Sequence, residues 1–154
     1  MAREVVQDIA FSSRCESLVL RFIKDSEEIQ GCVAWLTSPI IIHELSRVPR
    51  CHMVVTADTV HNRAASALRS INARQVGRAR GRYRALMHHK FLVRFTAGQP
   101  SHVLMGSYNF TRRSNHNIGE SALVIQDAGV ARRFADEFDK AYRASRPIRL
   151  NDRR

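Results

Sequence analysis

The sequence predicts an α/β fold: one domain with a mixed, largely parallel β-sheet flanked by helices. Three observations carry this expectation. A chain of 154 residues with 44% apolar content is long enough for one compact domain with a real core and short for two. Segments with apolar residues at helical spacing alternate with short, fully apolar runs, the pattern of strand–helix crossover units. In the second half, two apolar runs are joined by "TAGQPS", whose Gly and Pro mark a hairpin turn.

The elements follow in order. Residues 14–25 place Leu18, Val19, Phe22 and Ile23 on one helical face. "CVAWL" (32–36) is a short buried strand. In "TSPIIIHEL" Ser38 is the N-cap of a helix and Pro39 its first residue, where a missing N–H costs nothing. "HMVVTAD" (52–58) is a second buried strand, and "NRAASALRSINARQ" (62–75) a helix with Ala65, Leu68 and Ile71 on one side. "HHKFLVRF" (88–95) and "HVLMGSYNF" (102–110) form the hairpin, and "GESALVIQD" (119–127) is one more strand. The last helix covers 128–144, with Val130, Phe134, Phe138 and Ala141 toward the core. Residues 1–144 thus make the expected domain, and 145–154, "SRPIRLNDRR", a loose basic C-terminal tail.

The formal charge is +11, and all but three (Lys24, Lys90, Lys140) of the 25 basic residues are arginines. The guanidinium fork matches phosphate, so the bias favours a phosphate-rich partner, although a GC-rich genome also enriches arginine. The cysteines Cys15, Cys32 and Cys51 are odd in number and unpaired in spacing, which fits a reducing compartment. "MAREVVQDIAFSSR" carries charges where a signal peptide needs its apolar stretch, and "CVAWLTSPIII" is too short and too interrupted to span a bilayer. The expectation is a cytoplasmic protein without stable membrane association.

Two segments carry candidate chemistry. In "GRARGRYR", Arg78, Arg80, Arg82 and Arg84 share one face of an extended strand. Neighbours two apart lie about 6–7 Å from each other, close to the phosphate spacing of a nucleic-acid strand. A solvated loop is the plain alternative. With a single aromatic nearby, Tyr83, base preference should be weak. Arg112 and Arg113, directly after "GSYNFT", extend the candidate nucleic-acid surface.

The second segment is "MHHKFLVRF". Strand parity puts His88, Lys90, Leu92 and Arg94 on one side, and His89, Phe91, Val93 and Phe95 on the other. His88 is therefore the chemical candidate and His89 a structural residue. In "GSYNF" of the hairpin partner, Ser107 and Asn109 again share a face. An imidazole, an ammonium and an amide donor converging on one pocket suit a phosphodiester: His attacks or protonates, while Lys and Asn bind the non-bridging oxygens as charge builds.

H-x-K alone is a frequent accident, but followed by "GSYNFT" and the Glu of "NIGES" it is a specific composite. From His88 to Glu120 the chain resembles the signature of the phospholipase D superfamily, H-x-K-x4-D followed by G-S-x-N and a downstream acidic residue. The likeness extends more loosely over about 14–143. It is nearest the small members with one motif per chain, the bacterial endonucleases and the mitochondrial relatives sharing "MHHKF". The resemblance implies that His88 is nucleophile or acid and Lys90 the phosphate-binding lysine. It also implies that Asn109 and Ser107 are the amide and hydroxyl of the signature, and that Glu120 is the carboxylate that orients a histidine. It implies a phosphohistidine intermediate with neither metal nor cofactor.

Two H-x-K motifs build one site in that family, so a chain with one motif is expected to form a homodimer, with two His88 side chains meeting across a two-fold axis. Two coupled imidazoles should then give a bell-shaped pH–rate profile. Phe95 stands where the signature has Asp; parity assigns it to the core face. Cleavage of DNA or RNA is the favoured activity. Phospholipid cleavage, of cardiolipin for example, and a binding-only dimer are the alternatives, and a larger assembly is compatible with all three. A metal hydrolase is disfavoured, because a strand points His88 and His89 apart and Cys51-His52 and His61 lack ligand spacing.

Overall fold

A computed structural model describes residues 3–57, 62–77 and 86–149. The strands are β1 (Val6–Phe11), β2 (Glu28–Val33), β3 (Arg50–Thr56), β4 (Arg74–Val76), β5 (Lys90–Thr96), β6 (Gln99–Gly106), β7 (Ser121–Gln126) and β8 (Arg146–Pro147). The helices are α1 (Cys15–Ile23), α2 (Pro39–Ser46), α3 (Asn62–Ser70) and α4 (Ala128–Ala144). The strands form one open sheet in the order β1-β7-β6-β5-β2-β3-β4-β8. The sheet is mixed, as expected, but parallel pairing is confined to β2–β3 and β3–β4. The other pairings are antiparallel. β5, β6 and β7 follow one another through a two-residue turn and a loop rather than through helical crossovers, so the parallel part of the sheet is limited to β2, β3 and β4.

Apolar residues of α1, α2 and α3 pack with Leu92, Leu104 and Val124 on one face of the sheet. On the other face α4 covers Cys32, Phe91, Val93 and Val103 through Ala131, Ala135 and Phe138. Side chains of β5 thus alternate between two cores, the parity read from "KFLVRF". Ser38 Oγ accepts the Ile41 N–H at 3.4 Å with Pro39 at the first turn of α2. Asp127 Oδ1 does the same for Val130 at 2.8 Å, fixing the start of α4.

Several boundaries move for identifiable reasons. The hairpin turn is only Ala97-Gly98, both at positive φ (52° and 75°) and flanked by the Thr96–Gln99 pair, so β6 starts earlier than the Gly/Pro cluster implied. The helix expected over 62–75 stops at Ser70, because Asn72 adopts φ 53° and the Ala73 N–H returns to the Leu68 carbonyl. Arg74–Val76 is then free to become β4. The expectation of a loose tail from 145 is corrected in its first residues. Arg146–Pro147 pairs with β4, Arg74 Nε donates to Ser145 Oγ at 2.7 Å, and Ile148 is buried in the core. Among the described residues, no helix is long and apolar enough to cross a membrane.

Gly106 ends β6 where the chain passes against β7. A Cβ there would lie 2.0 Å from the Ser121 carbonyl oxygen and 2.8 Å from the Ala122 Cα. Both obstacles are backbone, so Gly106→Ala should lower stability by about 3 kcal/mol or more. The midpoint of denaturant unfolding will show it.

Candidate active site

The "MHHK" segment enters the sheet without regular structure, and β5 begins only at Lys90. The His89 carbonyl accepts the Ala34 N–H at 2.8 Å, continuing the β5–β2 pairing outward by one step. Strand alternation therefore extends back through the histidines. Lys90 Nζ lies 3.4 Å from His88 Nε2 and donates to the His88 carbonyl at 3.0 Å. Trp35, just past β2, presents its ring edge-on to His88 at 5.8 Å and 5.9 Å from the Lys90 ammonium. His88 is exposed, whereas Lys90 is half-buried. Burial pulls the Lys90 ammonium below its ordinary pKa, partly offset by the nearby Glu120 carboxylate.

The neighbouring strand ends supply the remaining groups. Just beyond β6, Ser107 Oγ donates to Glu120 Oε2 at 2.6 Å and accepts the Ser121 N–H at 3.0 Å. Asn117 Nδ2 donates to the other Glu120 oxygen at 2.9 Å. Asn109 follows between buried Tyr108 and Phe110, with its Oδ1 buried and lacking a hydrogen-bond partner. The Phe110 backbone ties this loop to the end of β2: its N–H donates to the Trp35 carbonyl, and its carbonyl accepts the Thr37 and Ser38 N–H groups.

The structure therefore brings His88 to Lys90 and Ser107 to Glu120, with Lys90 and Glu120 coupled electrostatically. Among the described residues of one chain, Glu120 engages Ser107 and Asn117 rather than an imidazole. Phe95 packs against the α4-side core, opposite Lys90. The β6 strand has a register shift opposite Arg94/Phe95, but β5 runs in unbroken register with β2 from Lys90 to Phe95, so parity along β5 survives. Arg112 and Arg113 are exposed at a short 3-10 turn before Glu120. Arg78, Arg80, Arg82 and Arg84 lie outside the described residues. Among the described residues, no three His, Cys, Asp or Glu side chains gather as a metal site.

Three participants escaped the sequence reading. Trp35 was hidden inside an apolar run. Asn117 belongs to a loop whose fold has no periodic signal. Glu137, on α4, was not singled out, and its Oε1 is 3.1 Å from His89 Nε2.

Comparisons with known proteins agree with the fold. A family model described as "Cardiolipin synthase, PLD-like domain" matches residues 19–142. The chain belongs to the phospholipase D superfamily. It is similar in fold to Nuc of Salmonella typhimurium, a phospholipase D family member, with TM-score 0.76 and 21% identity over 94% of this chain and 97% of that one. NucT of Helicobacter pylori gives TM-score 0.73 and 14% identity over 91% and 97%. TrmBL2, an archaeal chromatin protein whose structure shows a mode of DNA binding, gives 0.60 and 12% over 94% and 54%. No curated protein matches the chain. Its family membership puts the chemistry of this Nuc-type phospholipase D fold at phosphorus.

Proposed function

We propose that the chain is a metal-independent phosphodiesterase, a non-specific endonuclease of DNA or RNA whose site is completed by a second copy. The observation that carries this reading is the His88–Lys90 pair at 3.4 Å, set at the same strand ends as Ser107, Asn109 and Glu120 on a chain of formal charge +11. One His88 attacks phosphorus while the second copy's His88 protonates the leaving oxygen. Water then hydrolyses the phosphohistidine. Lys90 and the Asn109 amide hold the non-bridging oxygens as negative charge grows.

Two features support the shared site and its substrate. On the α4-side face, beyond the cover of that helix, Val6, Ile9 and Phe11 of β1 stand opposite Ile125, Leu123 and Ser121 of β7. Ile9 is 53% and Phe11 64% exposed. This uncovered apolar strip runs to Ser121, the residue after Glu120, and is a surface that a second copy would bury. An open cleft of about 620 Å³ beside His88 is bounded by Gly77 and Leu86, which flank the arginine segment in sequence. A DNA-binding protein among the fold neighbours fits the same substrate class. The three unpaired thiols suit a reducing, cytoplasmic setting.

The description of the matching family model names a synthase of a phospholipid, so lipid phosphodiesters are the second substrate class and cleavage of a cardiolipin-type lipid the second reading. One panel in EDTA decides, with single- and double-stranded DNA, RNA and cardiolipin vesicles as substrates. Nucleic-acid cleavage supports the endonuclease, lipid cleavage alone the second reading, and binding without cleavage the inactive dimer.

A further inference from the structure

We propose that His89 and Glu137 are positioning residues, which hold the irregular segment before β5 so that His88 faces the reacting phosphate. The inference rests on the role of His88 given above. His89 leaves the backbone on the face opposite His88 and reaches α4. Its Nε2–H donates to Glu137 Oε1 at 3.1 Å, and Lys140 Nζ lies 3.7 Å from the other carboxylate oxygen. The His89 ring meets Phe91 edge-on at 5.3 Å, and Phe91 meets Phe134 of α4 at 5.0 Å. The hydrogen bond from His89 is the leading reason that the Glu137 carboxyl sits below its ordinary pKa.

On the other face His88 is held between Trp35 and Lys90. The backbone of the histidine doublet is thus tethered from both sides of the sheet. Both members of the His89–Glu137 pair are more than 40% exposed, so the pair adds little to global stability. Its effect falls instead on the orientation of the neighbouring imidazole, where a displacement of about 1 Å costs on the order of 10²-fold in rate. The two histidines therefore divide the work, one toward substrate and one toward the scaffold.

The test compares Glu137→Ala, His89→Ala, the double variant and His89→Gln, whose amide nitrogen takes the place of the imidazole Nε2. Each alanine variant should lower kcat about 10- to 100-fold with KM changed less than about twofold. The double variant should lose no more than either single one, and His89→Gln should recover most of the rate. Unchanged kcat, losses that multiply, or a glutamine variant as slow as the alanine one would overturn the proposal. A readout independent of turnover is the ring resonances of His88 by NMR. They should shift or broaden in Glu137→Ala, and unchanged resonances contradict the tether. If the wild-type chain cleaves no phosphodiester, the proposed function fails while these resonances still decide the inference.

Discussion

His88→Ala removes phosphodiester cleavage, with a loss on the order of 10⁴-fold or more, as when a covalent nucleophile is deleted from a site whose parts act as a unit. The variant should fold normally, because His88 is exposed and its ring touches only Trp35 and Lys90 among the contacts described. Circular dichroism and the thermal midpoint should match the parent while turnover in EDTA vanishes. Mixing gives a sharper result. When equal amounts of parent and His88→Ala chains are allowed to exchange, a shared site keeps about a quarter of the activity, because only parent–parent pairs hold both imidazoles. Two independent sites would keep about half. Persistent cleavage by the pure variant would remove His88 from the chemistry altogether.

The second large effect is expected at the uncovered sheet face. Ile9→Asp combined with Phe11→Asp should convert the proposed dimer to monomer and lower activity on the order of 10²-fold or more, since neither half-site keeps its partner imidazole. Each of these side chains gains about 1.5–3 kcal/mol when fully buried against a second copy, and a carboxylate there reverses the sign. Both are exposed in the single chain and lie on the edge strand β1 away from the α1–α3 core, so the substitution leaves the fold intact. Light scattering alongside the cleavage assay checks it. A parent chain that is active as a monomer would overturn the shared site.

The sequence disclosed some parts of this molecule more readily than others. α4 was legible to its ends, because Asp127 caps it and its apolar positions keep one period across the whole helix. The parity of "HKFLVRF" was legible because β5 is central and buried on both faces, leaving no slack in register. β1 was not legible: a register irregularity between Val6 and Asp8 breaks its alternation, and its large apolar residues Val6, Ile9 and Phe11 are exposed. β4 and β8 are too short to carry a period, and they exist through pairing with each other and with β3. Around the site, His88, Lys90, Ser107, Asn109 and Glu120 stood out as a spaced set. The neighbouring contacts, Trp35 beside His88, Asn117 on Glu120 and Glu137 on His89, arrive through the tertiary fold and no spacing announces them.

The antiparallel meander β5–β6–β7 has a consequence for how the molecule assembles. Every group assigned to the chemistry, from His88 to Glu120, lies on this one stretch of chain, joined by the two-residue turn at Ala97-Gly98 and the loop that follows Gly106. Such contacts are local in sequence and close early, with little loop entropy to overcome. The pairings of β2 with β5 and of β1 with β7, which join Glu28 to Phe95 and Val6 to Ile125, close long loops and are expected to form later. The reactive surface is thus laid out on a fast-folding ribbon. The remainder of the chain folds around it and supplies Trp35 and the covering helices.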